Sequence, residues 1–340
     1  MNRCFELAQN GLGKVAPNPM VGCVIVKDGA IIGEGYHEKY GENHAEVNAI
    51  ESVENAELLR GAEMYVNLEP CTHHGKTPPC VDRILEAGIG KVIIADSDPS
   101  EKVHGKGIEK LRTNGVLVET SVLLEEEHRI NKRFRTYHEK KRPYIILKWA
   151  QTVDRFIDID RAHGEKGQIK ISNEACKRLL HKWRSEEQSI MVGTTTALND
   201  DPSLNVRLVE GSNPLRVVLD RYNRLPQELK MFNDGNKTLL YSYHEGADVN
   251  NVERVILDGS SNILGKIMDD LYQREIQSLI VEGGRYLFTS FISQNLWDEI
   301  RIFQSQDELK TGLPAPELTQ KEDSRLELDD NTYFLYLNKK

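Results

Sequence analysis

Residues 64–86 read MYVNLEPCTHHGKTPPCVDRILE. The opening Met64–Leu68 has the composition of a short strand. It runs into Pro70-Cys71. Pro78-Pro79 then precede Cys80, and proline suits the first turn of a helix, which the spacing predicts over Cys80–Glu86. One cysteine closes a strand and another opens a helix. Upstream, His44-Ala45-Glu46 stands at the start of a second helical pattern, Ala45–Ser52. One imidazole (His44) and two thiolates (Cys71, Cys80) make three ligands and leave a fourth position for water, the arrangement of a catalytic zinc. A helix N-terminus stabilises a thiolate, so the thiol of Cys80 is placed to ionise. Zinc brings the pKa of its bound water towards ~7. Glu46 then stands where it can move that proton to a ring nitrogen and a leaving amine. His-x-Glu followed by Pro-Cys is the pattern of zinc deaminases of nucleobases, with the glutamate outside the metal shell. Their usual Cys-x-x-Cys is stretched here by the polar, cationic insert Thr72–Pro79.

Outward from this segment, the chain to about Glu119 alternates strands and helices. Strands are predicted at Val21–Val26, Ile31–Tyr36, Met64–Leu68, Lys91–Ala95 and Val116–Glu119, and further helices at Arg3–Gln9 and Gly107–Arg112. Lys27-Asp28-Gly29 reads as a hairpin turn. The pattern predicts one mixed sheet with helices on both faces. Glu125–Arg142, of alternating charge, predicts a solvated linking helix that ends before Pro143. A second α/β unit follows. Its strands are predicted at Tyr144–Trp149, Ser189–Val192, Leu215–Leu219, Thr238–Tyr241, Val255–Leu257, Ser278–Val281 and Glu299–Phe303, and its helices at Asn173–Trp183, Ile263–Tyr272 and Tyr286–Ser293. The tail Asp307–Lys340 is polar and gives no pattern. The expected division is a zinc deaminase domain over 1–122, a linking helix over 123–142 and a second domain over 143–340.

A chain of 340 residues suggests about two domains. With 39% hydrophobic and 29% charged residues it has the make-up of a globular protein. Its net charge of −9 opposes a long nucleic-acid partner, because such surfaces are basic. It leaves room for a small phosphorylated ligand. No run approaches the ~20 apolar residues of a membrane helix. The start MNRCFELAQNGLG lacks an apolar secretion core. The five cysteines, an odd number, fit a reducing cytoplasm, where paired cysteines are metal ligands before they are disulfides.

The second unit has no Gly-x-Gly-x-x-Gly after its first strand. Val281-Glu282-Gly283-Gly284 instead ends an apolar strand before a helix, where glycines let a phosphate approach the backbone. A plain turn without ligand reads equally well from this feature alone.

Leu68–Cys80 and Pro17-Asn18-Pro19-Met20-Val21-Gly22-Cys23-Val24-Ile25-Val26 resemble the bifunctional riboflavin-biosynthesis deaminase/reductase family. So do Val192–Arg207, Arg216-Val217-Val218-Leu219-Asp220 and Val281-Glu282-Gly283-Gly284, and the resemblance covers most of residues 1–305. It implies a cytidine-deaminase-like α/β/α layered domain followed by a dihydrofolate-reductase-like α/β domain. The implied function is zinc-dependent deamination of 2,5-diamino-6-(5-phosphoribosylamino)pyrimidin-4-one. NADPH-dependent reduction of the ribosyl group to ribityl follows it. By match, Asn18, His37, His73, Lys76 and Asp98 line the deaminase substrate pocket. Arg184, Leu204, Arg207 and Glu282 match reductase substrate positions, and arginine suits a phosphate. Gln151, Lys170, Thr196, Asp200, Arg221, Gly283, Gly284, Arg285 and Tyr286 match NADPH positions. The resemblance also implies a cytoplasmic homo-oligomer, dimer or tetramer, with neither nucleic acid nor membrane as partner.

The chain departs from the family pattern at four places. Asp98-Pro99-Ser100-Glu101 stands for Asp-Pro-Asn-Pro, Thr152-Val153-Asp154-Arg155 for Ser-x-Asp-Gly, Lys170-Ile171-Ser172 for a tryptophan followed by Ile-Thr, and Arg221 for a small residue after Asp220. Arg155 lacks the freedom of glycine at positive φ. Lys170 offers a cation suited to the extra phosphate of NADPH. Two alternatives stay open from the sequence: a deaminase whose second domain binds a nucleotide without reducing, and a non-catalytic zinc-stabilised regulatory protein. Glu46 opposes the latter, since a structural zinc needs no proton shuttle.

Overall fold

Asp28 and Gly29 both take positive φ, 51° and 79°, so Lys27 and Ala30 face each other across a two-residue hairpin. This turn joins β1 (Gly22–Lys27) to β2 (Ala30–Tyr36). The computed structural model describes residues 1–73, 78–100, 103–246, 251–259 and 261–339. Its chain divides into two units, Met1–Lys141 and Arg142–Lys340.

In the first unit, α1 (Asn2–Gln9) precedes the hairpin. Then come α2 (Ala45–Glu51), β3 (Glu63–Leu68), α3 (Cys80–Glu86), β4 (Lys91–Asp96), α4 (Lys106–Thr113) and β5 (Leu117–Glu119). The sheet order is β2-β1-β3-β4-β5, with β1 antiparallel to both neighbours and β3, β4 and β5 parallel. Successive side chains of a strand point to opposite faces. Cys23, Ile25, Met64, Val66, Val92 and Ile94 therefore pack with Ala45 and Ala49 of α2, Val81 and Ile84 of α3 and Leu111 of α4. Val24 and Ala95 face Cys4, Leu7, Phe5 and Ala8 of α1 on the other side. The result is helix, sheet, helix. Gly35 lets α2 lie close on β2, because a Cβ there would meet the Ala49 nitrogen at 2.4 Å and the Ala45 oxygen at 2.7 Å.

Residues 123–142, expected as one solvated linking helix, form two helices that belong to the first unit: α5 (Leu124–Ile130) and α6 (Lys132–Lys140). The break falls at Asn131, which is buried. Its Oδ1 accepts from the Met20 N–H at 2.8 Å, and its Nδ2 donates to the Met20 carbonyl at 3.0 Å and to Glu127 at 2.8 Å. Ile130 joins the core beside Phe5 and Met20. The charge pattern hid these buried positions.

The second unit holds β6 (Tyr144–Gln151), β7 (Phe156–Asp158), α7 (Glu174–Glu186), β8 (Ser189–Gly193), α8 (Thr194–Asp200) and β9 (Leu215–Leu219). It continues with α9 (Lys230–Asn233), β10 (Thr238–Ser242), β11 (Val252–Ile256), α10 (Ile263–Gln273), β12 (Ser278–Gly283), α11 (Arg285–Ser293) and β13 (Glu299–Ser305). The tail adds β14 (Leu313–Pro314), β15 (Ser324–Leu328) and β16 (Asn331–Leu337). A nine-stranded sheet has the order β11-β10-β9-β8-β12-β6-β13-β16-β15. It is parallel from β11 to β13, and β16 and β15 are antiparallel additions. Near-continuous apolar runs such as Ile145–Leu147 and Leu279–Val281 suit strands covered on both faces. α10 and α11 cover one face and α7 the other. The tail escaped the sequence reading because β15 is an exposed edge strand whose alternation marks no core.

Arg155 takes φ 66°, the conformation glycine favours. Its N–H bonds the Thr152 carbonyl at 2.9 Å, so the turn into β7 is kept with an arginine at its corner. The cost is roughly 1 kcal/mol of backbone strain.

Asn131→Ala removes three hydrogen bonds from a buried position and should cost about 2–4 kcal/mol. All three tryptophans lie in the second unit. Urea unfolding followed by far-ultraviolet circular dichroism is therefore the measurement. An unchanged first-unit transition would contradict the clasp.

Candidate functional site

His44 is the N-cap of α2, in extended conformation, and Glu46 lies in the first turn. Cys71 follows β3, and Cys80 is the first residue of α3 after Pro79. The His44 Nδ1 lies 3.3 Å from the Cys80 Sγ and 3.5 Å from the Cys71 Sγ. Zinc–sulfur bonds of about 2.3 Å and zinc–nitrogen bonds of about 2.0–2.1 Å, set tetrahedrally, give an N···S edge of about 3.5 Å. The donor set and its spacing thus fit zinc. The start of α3 supports the sulfur of Cys71: the Cys80 N–H donates to its Sγ at 3.4 Å and the Val81 N–H to its carbonyl at 3.2 Å. Hydrogen bonds from Cys80 and His44 hold the Cys71 thiol well below its ordinary value. Burial pushes the Glu46 carboxyl above its ordinary value.

His37 and Asn18 stand beside these ligands. The rings of His37 and His44 meet edge to face at 5.1 Å. The His37 Nδ1 faces the Asn43 carbonyl at 3.0 Å, which makes it the donor and leaves Nε2 to accept from Asn18 Nδ2 at 3.1 Å. Burial lowers the His37 pKa, in keeping with a neutral ring. Asp98 is buried, and its carboxyl is raised to about 7 by burial, with Glu69, Glu127 and Cys71 adding repulsion. His73 is exposed just after Cys71. Lys76 lies outside the described residues.

Glu69, quoted in the sequence motif without a role, is buried at 4% exposure. Its carboxylate accepts from the backbone N–H groups of Gly105 (2.9 Å), Gly107 (2.8 Å), Ile108 (3.2 Å) and Asp98 (3.3 Å). It caps α4 and ties the Pro70-Cys71 corner to the Asp98 loop. Asp96, Glu127 and His128 also converge, but Arg135 already bonds both carboxylates, so a guanidinium supplies the positive charge there.

In the second unit, a cleft of about 1070 Å³ opens where β9, β8, β12 and β6 end. Thr196, Asp200, Gly283, Gly284, Arg285 and Tyr286 line it, as do Lys170, Arg184, Arg207, Arg221 and Glu282. A Cβ on Gly283 or Gly284 would meet the Thr196 hydroxyl at 2.8 or 2.9 Å. Only glycine leaves this cradle clear at the start of α11, the fit a dinucleotide phosphate needs. The Gly283–Gly284 peptide is cis. Two expected residues do not reach the cleft wall. Gln151 is buried between the Trp149 indole N–H, which it accepts at 2.9 Å, and Gln304, to which it donates at 2.9 Å. Leu204 turns its side chain into the core with Trp183 and Phe232.

Arg184 and Glu282 are not two separate contacts. They bond each other at 2.8 and 2.7 Å, and Arg184 also holds the Asn205 carbonyl at 3.1 Å. Burial pushes the Glu282 carboxyl up, but the Arg184 charge and hydrogen bonds outweigh it, so the group stays ionised. Lys148 of β6 lies behind them, 8% exposed and on the cleft wall. Burial lowers its ammonium, and Glu282 opposes that. Sequence reading passed over Lys148. Its signal was a charge inside an otherwise apolar run buried on both faces.

Each unit matches a known protein family. Residues 1–96 match the cytidine and deoxycytidylate deaminase zinc-binding region, and residues 143–306 match the RibD C-terminal domain. The riboflavin biosynthesis protein RibD of Aquifex aeolicus is 38% identical over 94% of this chain and 89% of its own length. That of Escherichia coli is 33% identical over 89% and 86%. The chain belongs to the RibD family. The crystal structure of a diaminohydroxyphosphoribosylaminopyrimidine deaminase/5-amino-6-(5-phosphoribosylamino)uracil reductase from Thermotoga maritima has a TM-score of 0.89 at 38% identity, covering 98% of this chain and 96% of that one. Acinetobacter baumannii RibD gives 0.88 at 30%, covering 99% and 97%. The chain is accordingly a bifunctional RibD-type enzyme of riboflavin biosynthesis, a zinc-dependent deaminase and an NADPH-dependent reductase. Its two folds are cytidine-deaminase-like and dihydrofolate-reductase-like.

Within this RibD frame, Glu69→Ala should loosen the Cys71 corner while leaving all three ligands in place. Zinc release to a competing chelator should quicken about 10-fold or more, the size of effect supporting residues have on metal affinity. Release at the wild-type rate would show that Glu69 supports α4 alone.

Proposed function

We propose that His44, Cys71 and Cys80 hold the zinc and that Glu46 is the proton carrier. The substrate is 2,5-diamino-6-(5-phosphoribosylamino)pyrimidin-4-one. The observation that carries this is the convergence of an imidazole nitrogen and two sulfurs on tetrahedral edges, with a buried carboxylate two residues from the imidazole. Held by these three donors, zinc would supply an ionisable water at neutral pH. Glu46 is placed to carry protons from the attacking water to the ring nitrogen and the departing amino group. Asn18 and His37 present a polar edge to the ring, and His73, Lys76 and Asp98 complete the reading of the pocket.

In the second unit, the Gly283-Gly284 cradle and Thr196 seat the cofactor phosphates. Lys148 and the Arg184–Glu282 pair face the reacting end, where the ribosyl group opens to its aldehyde and is reduced to ribityl. Lys148 brings positive charge that the pair does not neutralise, which suits an anionic substrate. An open cleft with a clear cradle supports a working reductase over a silent nucleotide-binding domain. The reading includes a cytoplasmic enzyme with no nucleic-acid or membrane partner. The net charge of −9 supports the former, and no helix among the described residues is long and apolar enough to cross a membrane. Self-association rests on the family resemblance.

Glu46→Gln should lower deamination about 10²–10⁴-fold, the usual contribution of a general acid–base group. Zinc content and reduction of pre-deaminated substrate should stay at wild-type levels. Deamination at a near-normal rate would remove Glu46 from the mechanism.

A further inference from the structure

Asn18, a contact of the pyrimidine ring in the reading proposed for the first unit, sits in a segment that cannot be held as a strand. Pro17 and Pro19 flank it, and proline has no N–H to give to a ladder. On one side, β1 stays paired with β2 as far as Gly22 opposite Tyr36, and the His37 N–H reaches the Val21 carbonyl at 2.9 Å one step further. On the other side, the pairing of β1 with β3 ends at Cys23 opposite Val66. The next residue of β3 is Asn67, which would have faced Gly22.

Asn67 is fully buried, and its side chain takes over where the backbone ladder stops. Its Oδ1 accepts the Gly22 N–H at 2.7 Å, and its Nδ2 donates to the Met20 carbonyl at 3.0 Å. Both partners are main-chain groups of fixed polarity, so one orientation of the amide satisfies them. A carboxamide offers an acceptor and a donor, as a peptide unit does, and Asn67 supplies the missing rung. Gly22 and Met20 are both buried, so neither group has water to turn to instead. From Met20 only Pro19, with its fixed φ, separates the chain from Asn18. The Asn18 Nδ2 then meets the His37 Nε2 at 3.1 Å.

The other end of this constraint is the metal corner. Asn67 lies in β3, whose Leu68 is in register with Asp96 of β4, and the Glu69 N–H bonds the Asp96 carbonyl at 3.0 Å. Pro70 and Cys71 follow directly. One buried side chain is therefore shared between the segment that carries Asn18 and the strand that delivers a zinc ligand. Asn131 also holds Met20, accepting its N–H at 2.8 Å and donating to its carbonyl at 3.0 Å. It does so from the break between α5 and α6, so it fixes the segment without setting its place against β3. Deamination needs the ring carbon that bears the amino group to lie against the attacking water. A misplacement of about 1 Å in such an arrangement costs about 10²-fold in rate.

We propose that Asn67 is a positioning residue of the deaminase. By bridging Gly22 and Met20 to β3 it fixes Asn18, and with it the pyrimidine ring, at the separation from the Cys71 corner that the reaction needs. This rests on the reading that Asn18 contacts the ring. Asn67 itself touches neither substrate nor metal, and its effect passes through the backbone of Met20 and Pro19.

The test is steady-state deamination by the full-length, zinc-loaded protein, with zinc content and circular dichroism measured on the same samples. Asn67→Val keeps a residue that strands favour and removes both bonds. It should lower kcat/KM about 10-fold or more, with zinc content at the wild-type level. Asn67→Thr has the shape of valine and a hydroxyl that both donates and accepts, and it should recover most of the loss. Where Asn67→Val does not hold its fold, Asn67→Ala against Asn67→Ser carries the same comparison. A double-variant cycle with Asn18→Ala separates positioning from scaffolding. If Asn67 acts through Asn18, adding Asn67→Val to Asn18→Ala should cost little more. Wild-type kcat/KM in Asn67→Val overturns the proposal. So do losses that simply multiply in the double variant, and so does zinc lost from Asn67→Val, which would place its role at the metal. If Asn18→Ala alone deaminates at the wild-type rate, the ring-contact reading fails and takes the proposal with it.

Discussion

Two sulfurs and a carboxylate buried together need positive charge, and the first unit is arranged around that requirement. Without compensation, burial drives Glu46 towards its protonated form, and the hydrogen bond with Cys71, together with burial, does the same for Cys80. The compensation is built from the beginnings of helices: Cys71 receives N–H groups from the first turn of α3, and His44 and Glu46 open α2. A cation among the three donors completes it. The close approach of α2 to β2 at Gly35, and the anchoring of the Pro70 corner by Glu69, then follow as geometric conditions for the three donors to meet.

The second unit solves the opposite problem. Its cleft is lined by many cations, only some of them paired with carboxylates. The one buried carboxylate facing that floor, Glu282, is neutralised internally by Arg184, at the price of fixing both. A bonded pair of this kind is costly to break, because one buried charge would be left alone. Lys148, and further along the sheet Arg221 and Arg224, also line the cleft.

The sequence made the elements of the first unit legible because its strands and helices carry clean periodicity. Strand and helix positions agree with expectation to within a residue or two at β1, β2, β3, α3 and β4. Cys71, Cys80, His44 and Glu46 were legible because metal chemistry restricts residue type and spacing together. What stayed hidden depended on burial that composition does not reveal. Asn131 and Glu127 look like surface residues in a charged stretch, yet both are buried: Asn131 clasps the Met20 backbone and Glu127 accepts from the Asn131 amide. Glu69 looks like part of a motif, and its four backbone partners come from the Asp98 loop and the start of α4. Leu204 and Gln151 matched the family pattern by position, but their side chains face the core and the sheet. In the β15–β16 hairpin β15 is exposed over Ser324–Glu327, and the apolar run of β16, whose Phe334 and Tyr336 pack on the core, stood in an otherwise polar tail.

The central claim is that two separate sites act in order on one pyrimidine, first exchanging an amino group for oxygen, then reducing the sugar. Mass spectrometry of a single incubation with the full-length, zinc-loaded protein tests it most directly. Without NADPH, the account predicts a product that differs from substrate only by the amino-to-oxo exchange. With NADPH present, that species should appear first and then gain a hydride and a proton. A reduced species that still carries the amino group, formed ahead of the deaminated one, would contradict the account.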